Sequence, residues 1–415
     1  MVLLHPMKNH FVSLLVTILT ATSFYAQKIS LTPGTYSAYL QLNETTQLPV
    51  HLTVEKKQKR LLLVVHNAEE RIELTNGIRK GDTTILPFPN FDSELRFITD
   101  KKKEIRGFWF NYNKGTNYKV PFFANLNQKP PKKASPSGDL NGKWETHFSP
   151  KTADEESALG IIAQKENHIT GTFRTETGDY RFLEGFIEGS KFYLSAFDGS
   201  HAFLINGTLK DQKAQGNFYS GKHYSTNFVA SYNPNYELRN PDSITVIKTT
   251  DKAFGFELKK VDGSTYVFPN NETRGKVVIV QIMGTWCPNC MDETNYYKEL
   301  YDKYHSKGLE IISIGYEAAD SFEEQAKKIL TLKQRKSLEF IFLVGGKASK
   351  GIASNQFKML NEVISFPTSI YIGRDGEVKR IHTGFNGPGT GDVYIEYVEK
   401  TNALIESLLG ISGSK

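Results

Sequence analysis

Cysteine is scarce in this chain: only Cys287 and Cys290 occur among its 415 residues. So small a number excludes a fold held together by many disulfide bridges. Two thiols are also too few for a cysteine-rich zinc site, and the ten histidines show no paired spacing that would supply further ligands. We therefore predict that the protein has no metal site.

Concentrated charge is absent as well. The formal net charge is +6, and the lysines that contribute to it form short runs such as 56–57, 101–103 and 132–133. No basic stripe alternates with exposed aromatic residues, as a nucleic-acid-binding surface would require. We therefore predict that the protein binds no nucleic acid.

The N-terminal region lacks an apolar run long enough to span a membrane. Its apolar stretch covers 11–21, whereas a spanning helix needs about 20 apolar residues. Preceded by Lys8, this stretch is typical of an export signal, and we predict a signal peptide over residues 1–26. The prediction places the protein in the periplasm or cell envelope. An uncleaved N-terminus that tethers the chain to the membrane is the alternative.

The segment after this signal predicts strands and no sustained helix. Residues 27–126 and 140–235 contain short alternating stretches rich in aromatic and β-branched residues, separated by Gly, Asn and Asp turns. Between them, residues 127–139 include a Pro-Pro and a Lys-Lys pair, which is typical of a linker. We predict an N-terminal all-β region made of two modules.

The two β-rich segments resemble each other weakly. Gly107 and Trp109 align with Gly216 and Phe218, and each segment opens on a glycine followed two residues later by an aromatic residue. This similarity indicates a tandem repeat of one β module. A chance match between two β-rich stretches is the alternative.

The sequence pattern changes in residues 245–412, where predicted strands alternate with predicted helices. This alternation favours a sheet covered by helices on both faces, and so an α/β domain. The predicted strands cover 256–260, 265–268, 277–283, 310–314, 338–344, 369–372 and 378–382. The predicted helices cover 287–304, 322–332, 357–363 and 393–409.

The two cysteines lie where a buried strand is expected to meet a helix. At a helix N-terminus, the unpaired backbone N–H groups and the helix dipole would stabilise a Cys287 thiolate, which is the reactive form of a thiol. Pro288 suits the first helical turn because its missing N–H would be unpaired there anyway. Cys290, one turn further on, could attack a mixed disulfide formed at Cys287. The pair would then be a redox-active disulfide that needs no bound cofactor.

The run 284–290, Gly-Thr-Trp-Cys-Pro-Asn-Cys, resembles the active-site motif of the thioredoxin superfamily, and within it the extracytoplasmic TlpA/ResA-like oxidoreductases. Glu293 and the Phe366-Pro367-Thr368 segment match further features of that subgroup. The resemblance implies a thioredoxin fold over 245–412 and thiol–disulfide exchange with protein substrates. It also implies a reductive direction, sustained by a membrane electron donor of thiol–disulfide type.

The resemblance also assigns roles to individual residues. It implies that Pro367 is cis and that Phe366 presents its backbone to the substrate chain. Trp286 would shield the cysteine pair and contact partners. Together with Pro288, these residues are predicted to form the substrate-binding surface.

One position departs from thioredoxin itself. Gln281 stands where thioredoxin has a buried aspartate that helps to deprotonate the second cysteine, and an amide cannot accept a proton. We therefore predict that Glu293 tunes the proton of Cys290, with a pKa raised by burial. Its neighbour Asp292 is expected to be solvated.

Three other interpretations stay open. The cysteines could form a structural disulfide, although so short a loop would contribute little stability. The domain could be a thiol peroxidase of peroxiredoxin type, in which a threonine lies three residues before the reactive cysteine; here Thr285 lies two before Cys287. Finally, the β-rich half could be a binding module for a protein or an envelope partner, with the redox domain tethered to it.

Overall fold

The computed structural model describes residues 31–57, 60–100, 104–126, 134–248 and 254–411. The predicted signal peptide and much of the predicted linker lie outside these residues. Within them, the chain forms two nine-stranded sheets followed by a seven-stranded sheet with helices. The predicted fold class, an all-β N-terminal region followed by an α/β thioredoxin-like domain, is confirmed.

The first sheet is an antiparallel half-barrel. Its first strand pairs with both the second and the ninth, which gives the order β4-β3-β2-β1-β9-β8-β7-β6-β5. Its strands are β1 (Gly34–Gln41), β2 (Gln47–Lys57), β3 (Arg60–Asn67), β4 (Glu70–Leu74), β5 (Ile78–Lys80), β6 (Thr83–Pro87), β7 (Ser93–Thr99), β8 (Glu104–Asn111) and β9 (Lys119–Leu126).

The second sheet closes into an antiparallel barrel. Pairing of β11 with β12, and of β10 with β18, joins eight strands in a ring, while the short β13 pairs with the end of β12. Its strands are β10 (Gly142–Phe148), β11 (Glu156–Lys165), β12 (His168–Thr175), β13 (Gly178–Asp179), β14 (Leu183–Glu188), β15 (Lys191–Phe197), β16 (Ala202–Lys210), β17 (Lys213–Ser220) and β18 (Tyr224–Tyr232).

The residues that align between the two β segments occupy equivalent places. In both sheets the first strand pairs with the last. Gly107 and Gly216 lie on the next-to-last strand of their sheets, and an added Cβ on either would collide with the backbone carbonyl of the neighbouring strand. Trp109 and Phe218, two residues further on, are buried in the respective cores. The same steric requirement therefore explains both glycines.

The half-barrel buries its open core against the barrel. Phe197, Ala202 and Leu204, all on barrel strands, belong to the apolar cluster of the half-barrel. Asn67 of β3 exchanges two hydrogen bonds with the Phe197 backbone, at 3.1 Å from Nδ2 to the carbonyl and 2.9 Å from the amide to Oδ1. These contacts join the two β modules into one body.

The third sheet carries the cysteines. Its order is β20-β19-β23-β22-β21-β24-β25, with β21 parallel to β22 and antiparallel to β24. Its strands are β19 (Phe256–Lys260), β20 (Thr265–Phe268), β21 (Val277–Met283), β22 (Leu309–Glu317), β23 (Ile341–Lys347), β24 (Thr368–Ile372) and β25 (Val378–Thr383). The helices are α1 (Pro288–Tyr304), α2 (Phe322–Lys336), α3 (Lys350–Gln356) and α4 (Asp392–Leu409).

Helices cover both faces of this sheet. Buried residues of α1, α2 and α4 share one apolar cluster, and α3 packs in the cluster on the opposite face. In the part of the chain that the structure describes, no helix is both long and apolar enough to cross a membrane.

The predicted helix over 357–363 is wrong. The helix lies just before it, as α3, where the Ser349 side chain accepts a hydrogen bond from the Ile352 amide at 3.3 Å and caps its N-terminus. Phe357 and Leu360 lie in an irregular segment, and their side chains are buried in the core. Leu360 also forms an isolated β-bridge with Ile247. Their apolar spacing therefore reflects core packing and not helical periodicity.

Candidate active site

The cysteine pair lies at the junction of β21 and α1. Every residue of β21 is buried, and α1 begins one residue after Cys287. Cys287 is the N-cap of α1, and its Sγ accepts a hydrogen bond from the Cys290 amide at 3.3 Å. Both residues are free thiols, with exposed fractions of 7% for Cys287 and 0% for Cys290. The helix N-terminus thus points a backbone donor at the first sulfur.

The proline loop lies directly against the first cysteine. The Phe366–Pro367 peptide bond is cis, as the resemblance implies. Cys287 Sγ lies 3.4 Å from the Phe366 carbonyl oxygen, to which the thiol donates. The Trp286 ring meets the Phe366 ring edge-on at 6.0 Å, and its Nε1 donates to the Tyr316 carbonyl at 2.9 Å. The structure therefore brings these predicted residues together, whereas Pro288 is buried in the first turn of α1.

Glu293 is fully buried behind the cysteine pair. Its carboxylate accepts hydrogen bonds from Gln281 Nε2 at 2.8 Å, Ser369 Oγ at 3.0 Å and the Tyr297 hydroxyl at 3.1 Å. Burial raises the pKa of Glu293 to about 7, although these three hydrogen bonds oppose the shift. A carboxyl that titrates near neutrality can both hold and release a proton under ordinary conditions.

The second thiol is held in its protonated form. Burial raises the pKa of Cys290 well above its ordinary value, and the hydrogen bond and charge of Cys287 raise it further. The negative charge of Glu293 adds to this shift. Glu293 therefore influences Cys290 electrostatically, while its own hydrogen bonds go to other side chains.

A second buried carboxylate supports the loop before the cysteines. Glu317, at the end of β22, accepts hydrogen bonds from the Thr285 amide at 3.0 Å and the Thr285 hydroxyl at 2.5 Å. Burial raises the pKa of Glu317 to about 7. Sequence reasoning missed Glu317 because it is remote from the motif and nothing in its neighbourhood marks it.

Hydrogen bonds connect the barrel to the loops around Cys287. Ser200 Oγ donates to the Trp286 carbonyl at 3.0 Å. Asn289 Nδ2, between the two cysteines, donates to the Asp179 carbonyl at 3.2 Å. Ser365 Oγ, one residue before Phe366, donates to the Thr177 carbonyl at 2.8 Å. Sequence reasoning missed these barrel residues, which no motif links to the cysteines.

The expectation that Asp292 is solvated is wrong. Its side chain is largely buried and forms an ion pair with Arg181 of the barrel. Arg181 also pairs with Glu70 of the half-barrel and, at 3.4 Å, with Asp198. Burial disfavours the charged guanidinium, but the surrounding carboxylates outweigh it and raise the pKa of Arg181. One buried arginine thus joins all three parts of the protein.

The side chains near the cysteines show no arrangement suited to a metal ion. Among the described residues, no group of three or more His, Cys, Asp or Glu side chains could hold one.

Comparison with known proteins agrees with this geometry over the C-terminal part. Residues 248–395 match the Redoxin family model. The thiol-disulfide oxidoreductase ResA of Bacillus thuringiensis subsp. konkukian is 32% identical over 127 residues, which is 31% of this chain and 64% of the relative. ResA of Halalkalibacterium halodurans is 26% identical over 145 residues, 34% of this chain and 71% of the relative. The C-terminal part therefore carries a Redoxin domain with ResA-like relatives.

Two solved structures are similar to part of this chain. A putative thiol:disulfide interchange protein DsbE from Chlorobium tepidum is 20% identical, with a TM-score of 0.30 over 40% of this chain and 99% of that chain. StoA from Bacillus subtilis is 20% identical, with a TM-score of 0.26 over 35% of this chain and 96% of that chain. The chain spans 64% of the length of the first ResA relatives.

Proposed function

We propose that this protein is an extracytoplasmic thiol–disulfide oxidoreductase that reduces protein disulfides through Cys287 and Cys290. The observation that carries the proposal is the position of the Cys287 sulfur. It caps α1 and accepts a hydrogen bond from the Cys290 amide. It also lies against the Phe366 carbonyl, beside the cis peptide bond to Pro367. The similarity to ResA proteins supports the same chemistry.

In the first step, the Cys287 thiolate attacks one sulfur of a substrate disulfide. A bond forms between Cys287 Sγ and that sulfur, the substrate S–S bond breaks, and the other substrate sulfur leaves as a thiolate. In the second step, the Cys290 thiolate attacks Cys287 Sγ and releases the remaining substrate thiolate. Two electrons pass to the substrate, and the protein is left with a Cys287–Cys290 disulfide.

Glu293 is the proposed proton acceptor for Cys290. Cys290 needs to lose its proton before it attacks, and burial opposes that loss. A carboxylate whose pKa lies near 7 is matched to taking up this proton at neutral pH. No hydrogen bond joins the two groups in the described structure, so we propose that the proton passes from Cys290 to Glu293 through an intervening water molecule.

The wider setting belongs to the same proposal. The apolar segment before residue 26 supports export, and a dithiol of this kind outside the cytoplasm needs an electron donor of thiol–disulfide type to remain reduced. The dithiol itself carries the electrons, so we propose no bound cofactor. The β-rich half would contribute to recognition of the protein substrate.

The first experiment is to equilibrate the full chain against defined thiol buffers and measure the reduction potential of the Cys287–Cys290 pair. We expect a value near about −270 mV, which is that of a reductase. A value near about −120 mV would indicate an oxidant that introduces disulfides, and the reductive direction would be wrong. No exchange at all in the native protein would overturn the proposal.

A peroxide-turnover assay separates this function from a thiol peroxidase. The Thr285 hydroxyl donates to Glu317 and is therefore engaged away from Cys287. We expect peroxide turnover to be negligible beside disulfide reduction.

A further inference from the structure

A hairpin of the barrel lies against the loops that surround Cys287. It comprises residues 175–181, from the end of β12 through β13, and we call it the cover hairpin. It contacts three segments that surround Cys287. These are residues 284–289, which we call the cysteine loop, the loop before Pro367, and residues 384–389. With this hairpin in place, the exposed fraction of Cys287 is only 7%.

The redox domain holds the cover hairpin partly by its side chains, since the Gly387 amide donates to Asp179 Oδ2 at 2.6 Å and Arg181 pairs with Asp292, and partly by its backbone. Asn289 Nδ2 donates to the Asp179 carbonyl and Ser365 Oγ donates to the Thr177 carbonyl. Main-chain carbonyls are present in every polypeptide, so these two donors can serve any extended chain that replaces the hairpin. Asn289 lies two residues after Cys287, and Ser365 lies one residue before Phe366, whose carbonyl is 3.4 Å from Cys287 Sγ.

The hairpin also approaches the cysteine loop too closely for any side chain. Gly178 has a φ of +146°, and an added Cβ there would collide with Asn289 Nδ2. Asn289 could not withdraw cheaply, since its amide donates to the Asp179 and Phe385 carbonyls. Glycine at this position therefore allows the hairpin to lie directly against Asn289 of the cysteine loop.

We propose that the cover hairpin is a specificity-determining element: it occupies the site of a polypeptide substrate, and a protein disulfide reaches Cys287 only by displacing it. This inference rests on the proposed function and adds to it the way in which substrates are selected. A small disulfide needs less room, so its reaction depends less on the hairpin.

The contacts at the tip of the hairpin, residues 177–179, suit displacement. They are polar hydrogen bonds, which water or a substrate backbone can replace, so the net free energy of each is modest. The strongest fixed contact is the Arg181–Asp292 ion pair at the end of the hairpin. This ion pair keeps the end of the hairpin anchored to α1 while the tip is displaced.

The test variant is Gly178→Ala in the full chain, which inserts a methyl group between the hairpin and Asn289. The matched control is Gly115→Ala, at a half-barrel turn whose φ is +118° and where an added Cβ has nothing within 4 Å. Both substitutions strain a glycine at positive φ, but only the first pushes the cover hairpin away from the redox domain.

Two pairs of probes compare small and large reagents. The first pair is hydroxyethyl disulfide and insulin, reduced at the expense of dithiothreitol. The second pair is iodoacetamide and a maleimide carrying a long polyethylene glycol chain, both reacting with Cys287. For Gly178→Ala we expect the large-to-small rate ratio to rise about tenfold in both pairs, corresponding to about 1.4 kcal/mol of hairpin docking. The Gly115→Ala control should keep the wild-type ratio.

An unchanged ratio in a folded Gly178→Ala protein would overturn the inference, as would a wild-type alkylation ratio equal to that of free cysteine. If Gly178→Ala fails to fold, Ser365→Ala is the second variant, because it removes the hydrogen bond to the Thr177 carbonyl and leaves the Arg181 ion pairs in place. The alkylation ratio does not depend on turnover. A raised alkylation ratio without any disulfide reduction would therefore sustain the hairpin inference and refute the proposed function.

Discussion

Gln281 Nε2 donates a hydrogen bond to Glu293 Oε2 over 2.8 Å in the core of the redox domain. The other end of the amide is also fixed, because Gln281 Oε1 accepts from Ser313 Oγ at 2.7 Å and from Thr294 Oγ1 at 3.3 Å. The glutamine cannot take up a proton itself. Instead it orients the Glu293 carboxylate, which we propose as the acceptor of the Cys290 proton.

The stability of the protein should depend on pH through Glu293. Burial raises the pKa of Glu293 from 4.5 to about 7, so the folded state binds this proton more tightly than the unfolded state. This contribution is full below pH 4.5 and is lost as pH rises towards 7. Between pH 4.5 and about 7, the free energy of unfolding of Glu293→Gln should therefore rise by about 3 kcal/mol relative to that of wild type. Denaturant titrations at several pH values measure the difference.

The substitution also changes hydrogen bonding at the site, and that change should add a constant offset, so the pH slope is the diagnostic quantity. Glu299→Gln, at an exposed position of the same helix, is the control. A slope for Glu293→Gln equal to that of the control would show that Glu293 is not the titrating group.

Glu293→Gln should also slow the resolving step. Without the carboxylate, the Cys290 proton loses the acceptor that we propose for it, and a general base typically contributes at least about 100-fold. We expect release of a mixed disulfide from Cys287 to slow by about that factor near neutral pH. Stopped-flow measurement with a chromogenic disulfide separates this step from the first attack, whose rate should change little.

The two cysteine variants should fail at different steps. Cys290→Ser keeps the nucleophile and should accumulate a stable mixed disulfide with the substrate, visible by mass spectrometry. Cys287→Ser should form no adduct, because Cys290 is fully buried and its thiol stays protonated. A mixed disulfide that forms on Cys290 instead would reverse the assigned roles.

Much of the redox domain could be predicted from the sequence because its signals are local. The strand β21 reads as one apolar run, the cysteines follow it, and the residues that resemble the family are contiguous or nearly so. Helices α1, α2 and α4 begin within one residue of their predicted starts. The helix predicted over 357–363 failed because buried apolar residues in an irregular segment mimic helical spacing.

The cover over the active site could not be predicted, because it depends on contacts between distant parts of the chain. Arg181 and Asp292 are 111 residues apart, and neither belongs to a motif. An isolated carboxylate on a helix is ordinarily exposed. Only the assembled structure shows that an arginine from another module lies against it.

Arg181→Met should destabilise the whole protein. It leaves Asp292, Glu70 and Asp198 clustered without their counter-charge, and removal of one partner from a buried ion pair typically costs about 3–5 kcal/mol. Asp292→Asn should cost less, because the guanidinium keeps two carboxylate partners. Denaturation midpoints of both variants, compared with wild type at one pH, measure this order.

The loss in Arg181→Met should also grow as pH rises. Burial raises the pKa of Asp292, and Arg181 opposes that shift, so removing the arginine raises the pKa further. A carboxyl with a raised folded-state pKa favours the folded protein at low pH and loses that effect as it ionises. The difference in free energy of unfolding between the variant and wild type should therefore be smallest at about pH 5 and largest at about pH 8. Equal losses at both pH values would mean that Arg181 stabilises the junction by packing alone.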